Sequence, residues 1–403
     1  MQAASIRPQA VRPLPQERHD FVLAAPDRPI ATRGLRRRLT PGPAETLGAR
    51  VRAFFADEAD GAAPGLLVGA LPFDRMADDC LFQPDALVDP ASLTVAGGTI
   101  APGQDWRVRP EPDRSTYEQA VARALTLIAS EPELAKIVLS RSLALETDRP
   151  IDIAALLARL GGDPGAIRFL TPLDPGANGQ PRHLLGATPE LLLSRTGSDI
   201  LSYPLAGSAR RSPLASADAA SAMALARSTK DHREHRWVVE AILDALAPYC
   251  RDLAAPGEPA LVATRTMWHL GTRIEGRLKD RTDPSAAELA AALHPTPAVG
   301  GVSRERALAL IPELEGYDRG FYAGAVGWTD RSGDGAWYVS LRCAEVSGCR
   351  ARIFAGAGIV EGSVPAEEAD ETSAKLQAIL TALGADERGL TRPSDAPAHA
   401  AVA

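Results

Sequence analysis

The sequence is short of several things, and each shortage excludes a class of protein. Only four of the 403 residues are cysteine, and Cys80, Cys250, Cys343 and Cys349 form no CxxC pair and no zinc-type spacing. That argues against a disulfide framework and fits reduced thiols in a cytoplasmic protein. No apolar run approaches the roughly 20 residues needed to cross a bilayer. Arg7 and Arg12 are followed by no apolar segment, so neither a membrane partner nor a secretory signal is expected. A basic surplus is missing too: the net charge of −7 argues against nucleic acid as a partner. The cluster Arg36, Arg37, Arg38 is local and reads as a solvated strand end or turn.

What is present describes an ordinary globular chain, 45% hydrophobic and 24% charged, long enough for an ample core. Residues 1–18 and 384–403 offer no periodic apolar face and are expected to be disordered tails around one domain, 19–383. A monomer or weak dimer is expected. Tyr117, Val121, Leu125 and Ile128 share one face of a helix over 116–130. Strand patterns cover 136–145, 183–187, 191–195, 199–205, 261–276, 321–329, 335–346 and 351–360. A long helix begins near Asp231, and the last runs from about 365 to 383. Strands and helices mix without βαβα alternation, which predicts an α+β fold of two largely antiparallel sheets packed as a sandwich with flanking helices.

Several charged residues break the apolar pattern around them. "KIVLSRSLAL" puts Lys136 at the head of a strand made for burial, and "GATPELLLSR" puts Glu190 at a turn between two apolar strands. In "STKDHREHRWVVEAILDAL" the stripe Val238, Ile242, Leu246 projects back onto Asp231, Glu234 and His235. The HREH spacing does not match H-E-x-x-H, so zinc is disfavoured. "SLRC" places Arg342 within a strand pattern. Each alone reads as a salt-bridged structural residue; together they describe a charged cavity in an apolar shell, where pKa values are tuned.

The segment "RIFAGAGIVEGSVPAEEADETSAKLQAIL" ends a glycine-alternating strand in an acidic helix start, Glu367, Glu368, Asp370 and Glu371, with Lys375 one turn on. The GxGxxxG spacing is not a dinucleotide fingerprint, and four carboxylates repel phosphate, which disfavours a nucleotide-dependent enzyme. Two readings stay open: acids that merely favour the helix dipole, or a site for a hard cation holding an anionic ligand.

Ten stretches, in order, carry a family resemblance: "KIVLSR", "GATPELLLSR", "YPLAGSARR", "KDHREH", "MWHLGTRIEG", "HPTPAV", "FYAGAVGW", "LRCAEV", "FAGAGIV" and "ETSAKL". They resemble the motifs of the chorismate-utilising enzymes over roughly residues 20–383. The resemblance implies the small dianion chorismate as substrate and Mg²⁺ as cofactor. It implies Glu234 and Glu371 as metal ligands, with Glu368 a further candidate and Asp231 an outer partner through metal-bound water. It implies that Arg342, Tyr322 and the backbone of Gly356 and Gly358 take the enolpyruvyl carboxylate. Lys375 would lie beside the metal-bound end, and Ser208 and His269 would line the ring.

Within the family the branch follows from side chains. The resemblance places Ala206 where aminodeoxychorismate synthases carry a lysine that attacks the ring, whereas Lys136 matches the base that activates water in hydroxyl-adding members. Glu190 must be protonated to expel the C4 hydroxyl as water, which asks for an apolar setting. Ala298, beside Val299, replaces the threonine typical of the salicylate and anthranilate branches. The expected activity is an isochorismate synthase of a catechol-siderophore pathway. The alternatives are a salicylate synthase, which goes on to lose pyruvate, and a menaquinone-pathway isochorismate synthase. A catalytically dead homologue should lack Lys136, Glu190, Glu234 or Glu371, and all four are present.

Overall fold

A computed structural model of the chain describes residues 20–57, 64–89, 105–176, 179–279 and 284–387. The two expected tails lie almost wholly outside the described residues. Two large sheets, of ten and nine strands, are accompanied by a small third one, and every strand pairing within them is antiparallel. One core runs between the large sheets, joining Phe21, Phe169 and Leu184 of the first to Leu67, Phe82, Leu193 and Trp337 of the second. Each such side chain, fully buried, contributes about 1.5–3 kcal/mol.

The two expected sheets are present, and the small third one is an addition to them. The pattern over 199–205 breaks at Pro204, which has no N–H to give a ladder. Asp199–Tyr203 stays in the nine-stranded sheet, while Leu205–Arg210 pairs with Met267–Gly271, itself beside Ala260–Ala263. The expected strand 261–276 is therefore three short ones, the last being Ile274–Leu278. The pattern 321–329 begins as strand only at Ala325, and 335–346 splits into Gly335–Val339 and Cys343–Ser347.

The backbone of the site is the longest strand pair. Lys136–Glu146 runs antiparallel to Arg350–Val360 in unbroken register, from Lys136 opposite Val360 to Glu146 opposite Arg350. Because side chains alternate faces along a strand, the even-numbered residues Lys136, Val138, Phe354, Gly356 and Gly358 share one face. On its other edge Arg350–Val360 meets Cys343–Ser347 only as far as Ile353. From Phe354 onward no further strand covers that edge among the described residues.

Two helices carry acids to the site. Thr229–Leu246 is capped by Ser228, whose side chain accepts from Asp231 N, and buries Glu234, His235, Val238, Ile242 and Leu246 along one stripe. Pro365–Leu383 starts with proline in its first turn, carries Glu367 and Glu368 there, and ends at Gly384 in the left-handed region, φ 75°. It buries Ala369, Thr372, Leu376, Ile379, Leu380 and Leu383. The last four join Leu143, Leu145, Leu185 and Ile353 in a second core on the outer side of the ten-stranded sheet.

Candidate active site

Glu190, Ser208, Glu234, His269, Ala298, Tyr322, Arg342, Gly356, Gly358, Glu368, Glu371 and Lys375 all line one pocket, with Asp231 among them. Lys136 alone of the expected set lies behind the pocket wall, 0% exposed. Its Nζ is 2.8 Å from Glu234 Oε1, in a contact too bent for a hydrogen bond. Gly358 is what lets the two meet at the wall: a Cβ there would fall 2.4 Å from Glu234 Oε1 and 3.1 Å from Lys136 Cε.

Glu190 occupies the turn between strands Arg182–Thr188 and Leu191–Thr196 and is 3% exposed. Burial pushes its carboxyl up to about 8, against the opposing pull of Lys136, a Leu205 backbone hydrogen bond and Lys375. At neutral pH Glu190 is therefore mostly a neutral acid, able to give a proton.

Across the pocket the carboxylates gather at one end, each beside a cation or hydroxyl. Glu371 Oε1 is 2.7 Å from Lys375 Nζ and accepts from Ser208 Oγ at 2.8 Å. Burial alone would raise that carboxyl; Lys375, Ser208 and Lys230 outweigh it and hold it below the ordinary range. Glu368 pairs with Lys230 at 3.3 Å, yet burial and the charge of Glu371 raise its carboxyl. Burial likewise raises Asp231, assisted by Glu234 and Glu371. Asp231, Glu234, Glu368 and Glu371 thus bring carboxylate oxygens to this part of the pocket, though among the described residues no three such side chains converge closely enough to hold an ion.

The other end is cationic. Arg342 is not in a strand, contrary to the sequence pattern. It sits at the break between Gly335–Val339 and Cys343–Ser347 with φ 47°, a left-handed conformation uncommon for a residue with a side chain. That kink brings its Nη2 to 2.8 Å from His269 Nε2 and its Nη1 to 3.7 Å from Asp163. Burial pulls Arg342 down to about 10, which leaves it charged at neutral pH. Burial, reinforced by Arg342 and Lys375, holds His269 well below its usual value and hence neutral. Tyr322 is stacked on Phe354, ring centres 4.9 Å apart and 7° from parallel. A Cβ at Gly356 would come 3.1 Å from the Tyr322 hydroxyl, and Lys375 Nζ donates to Gly356 O at 2.9 Å. The uncovered strand edge and its glycines therefore form one pocket wall. Ala298 and Val299 stand among the other lining residues.

A family model described as "Chorismate binding enzyme" matches residues 99–384. The chain belongs to that family. The members most like it include a Mycobacterium tuberculosis protein provisionally named isochorismate synthase MenF, 43% identical over 91% of this chain and 96% of its own length. The Bacillus subtilis isochorismate synthase DhbC is 40% identical, covering 91% of this chain and 94% of that one. Among solved structures, a Bacillus anthracis protein assigned provisionally as a 2,3-dihydroxybenzoate-specific isochorismate synthase, DhbC, superposes with a TM-score of 0.83. It is 38% identical and covers 91% of this chain and 96% of its own. This chorismate-binding enzyme has the family's fold, as the sequence motifs implied.

Lys230, Arg319 and Phe354 are among the pocket residues that escaped the sequence reading. Lys230 lies in a run of charges that reads as solvated, and Arg319 in a glycine-flanked turn, yet both line the pocket. Phe354, the platform for Tyr322, looks like any core residue of a strand. No local signal separates them from ordinary surface or core positions.

Proposed function

We propose that this enzyme is an isochorismate synthase of the siderophore type, supplying a catechol pathway. The observation that carries the proposal is a buried, proton-bearing Glu190 on the pocket wall, with Lys136 buried behind the same wall against Glu234. In this reading Lys136 Nζ accepts a proton from water as its oxygen bonds to C2 of chorismate. The two ring double bonds shift, and the C4–O bond breaks as Glu190 donates its proton to the departing hydroxyl. One water enters and one leaves, so the net change is an isomerisation. Arg342, with Tyr322 and the Gly356–Gly358 backbone, receives the enolpyruvyl carboxylate; neutral His269 and Ser208 border the ring.

The metal in this reading is Mg²⁺, held by Glu234 and Glu371 with Glu368 and Asp231 behind them. Among the described residues no three His, Cys, Asp or Glu side chains close into a cage. Mg²⁺ usually keeps several waters and uses one or two carboxylates together with an anionic ligand, so Glu234 and Glu371 with the substrate would be its ligands. When bound, it would neutralise the ring carboxylate of the substrate and fix that end of the ring. The 2,3-dihydroxybenzoate-specific description of the Bacillus anthracis structure supports the catechol branch.

No helix among the described residues is long and apolar enough to cross a membrane. The deciding experiment is incubation of pure protein with chorismate and Mg²⁺, with products resolved by chromatography. Isochorismate should accumulate without pyruvate; pyruvate stoichiometric with chorismate consumed would make the enzyme a salicylate synthase instead.

A further inference from the structure

Arg319 joins two parts of the active site that the chain supplies separately. Its guanidinium is buried beside Glu315, with Nε donating to Oε2 at 2.9 Å and Nη2 to Oε1 at 2.6 Å. The same group donates to two main-chain carbonyls: from Nη1 to Val299 O at 2.8 Å, and from Nη2 to Val138 O at 2.7 Å. Val299 adjoins Ala298, on the wall where the side chains set the branch. Val138 lies two residues from Lys136 on the same strand face. Glu315 is itself locked, accepting from Ser140 Oγ at 2.8 Å.

The segment 294–299 needs such anchors. Its far end is held where Arg75 and Arg304 both donate to His294 O. Between the anchors Thr296 O accepts from Val299 N at 3.1 Å and from Gly300 N at 2.9 Å, which ties the turn together. Ala298 has only a methyl side chain, and its N donates to Thr296 Oγ1 at 3.3 Å within the same turn.

From this geometry we infer that Arg319 is a positioning residue for product choice. It sets the distance between the Ala298–Val299 wall and the strand bearing Lys136, and so holds the enolpyruvyl arm away from the fold that releases pyruvate. The inference rests on the isochorismate synthase reading above. Only a planar fork can serve both carbonyls and Glu315 together; a lysine ammonium at that place cannot.

The test is Arg319→Lys, with isochorismate and pyruvate measured from the same reaction. Their ratio per turnover does not depend on how much of the protein is folded. We expect kcat/KM for isochorismate to fall about tenfold or more, as for small displacements of reacting groups, with pyruvate per isochorismate rising. A neutral pair, Glu315→Gln with Arg319→Gln, avoids a buried unpaired charge and should shift the ratio the same way. A folded variant with the wild-type ratio and wild-type kcat/KM overturns the inference. Failure of both variants to fold assigns the pair to the fold alone and overturns it equally. Absence of isochorismate from the wild type would instead sink the reading of the enzyme.

Discussion

Gly358 and Glu234 approach so closely that any side chain on the first must displace the second: an added Cβ would stand 2.4 Å from Oε1. The neighbour is the free end of a flexible side chain, so the strand can survive the substitution while the carboxylate moves. Gly358→Ala should therefore keep a near wild-type melting temperature and lose activity about 100-fold, the scale of a misplacement near 1 Å. Calorimetry and product assay on one preparation check both halves. Full activity would show that Glu234 need not hold its position.

Lys136→Gln retains a hydrogen-bonding chain of similar reach but no base. Hydroxylation should drop by about 10² to 10⁴-fold, the usual range for a general base, while chorismate still binds. Equilibrium binding beside turnover separates the two effects. Isochorismate formation near the wild-type rate would remove Lys136 from the mechanism.

Glu190 gives a pH prediction of defined sign. Its folded value of about 8 exceeds the ordinary 4.5, so the folded state holds a proton that the unfolded chain gives up first. The stability this contributes is full below pH 4.5 and declines as pH rises towards 8. Wild type should thus lose stability over that interval relative to Glu190→Gln, which has nothing to titrate there. Turnover should fall as pH passes 8, when the acid has lost its proton. Parallel stability curves for the two proteins would contradict the buried, neutral acid.

Ala298→Thr adds a hydroxyl and bulk to a position that lines the pocket and, on the proposed function, faces the enolpyruvyl arm. In wild type the nearby Thr296 hydroxyl already accepts from Ala298 N at 3.3 Å. The variant should release pyruvate at the expense of isochorismate, measured with a lactate-dehydrogenase couple. Unchanged pyruvate would dissociate this position from the branch.

The sequence showed the site where a residue contradicted its surroundings. Lys136, Glu190 and Glu234 each interrupt an apolar stripe, and such a contradiction survives without coordinates. Arg342 was seen but misplaced, because "YVSLRCAEV" alternates as one strand while the backbone kinks at φ 47° in its middle. Arg319 and Lys230 were invisible because a turn and a charged helix start are where arginine and lysine ordinarily meet solvent. Their roles arise from long-range neighbours: Val138 is 181 residues from Arg319, and Glu368 is 138 from Lys230. The third sheet was missed because the apolar pattern runs on through 199–205, although Pro204 inside it marks the break between the two strands.

The uncovered edge at Phe354–Val360 bears on how such an enzyme can evolve. An edge of main-chain amides bordered by glycines offers the same groups whatever side chains drift nearby, and it cannot be retuned by exchanging one residue type for another. On the proposed function, the heritable freedom to change product would fall on the segment 294–299, where single substitutions alter shape and polarity. A lineage could move between outcomes by altering that one wall while its hold on the substrate's acid group stayed fixed.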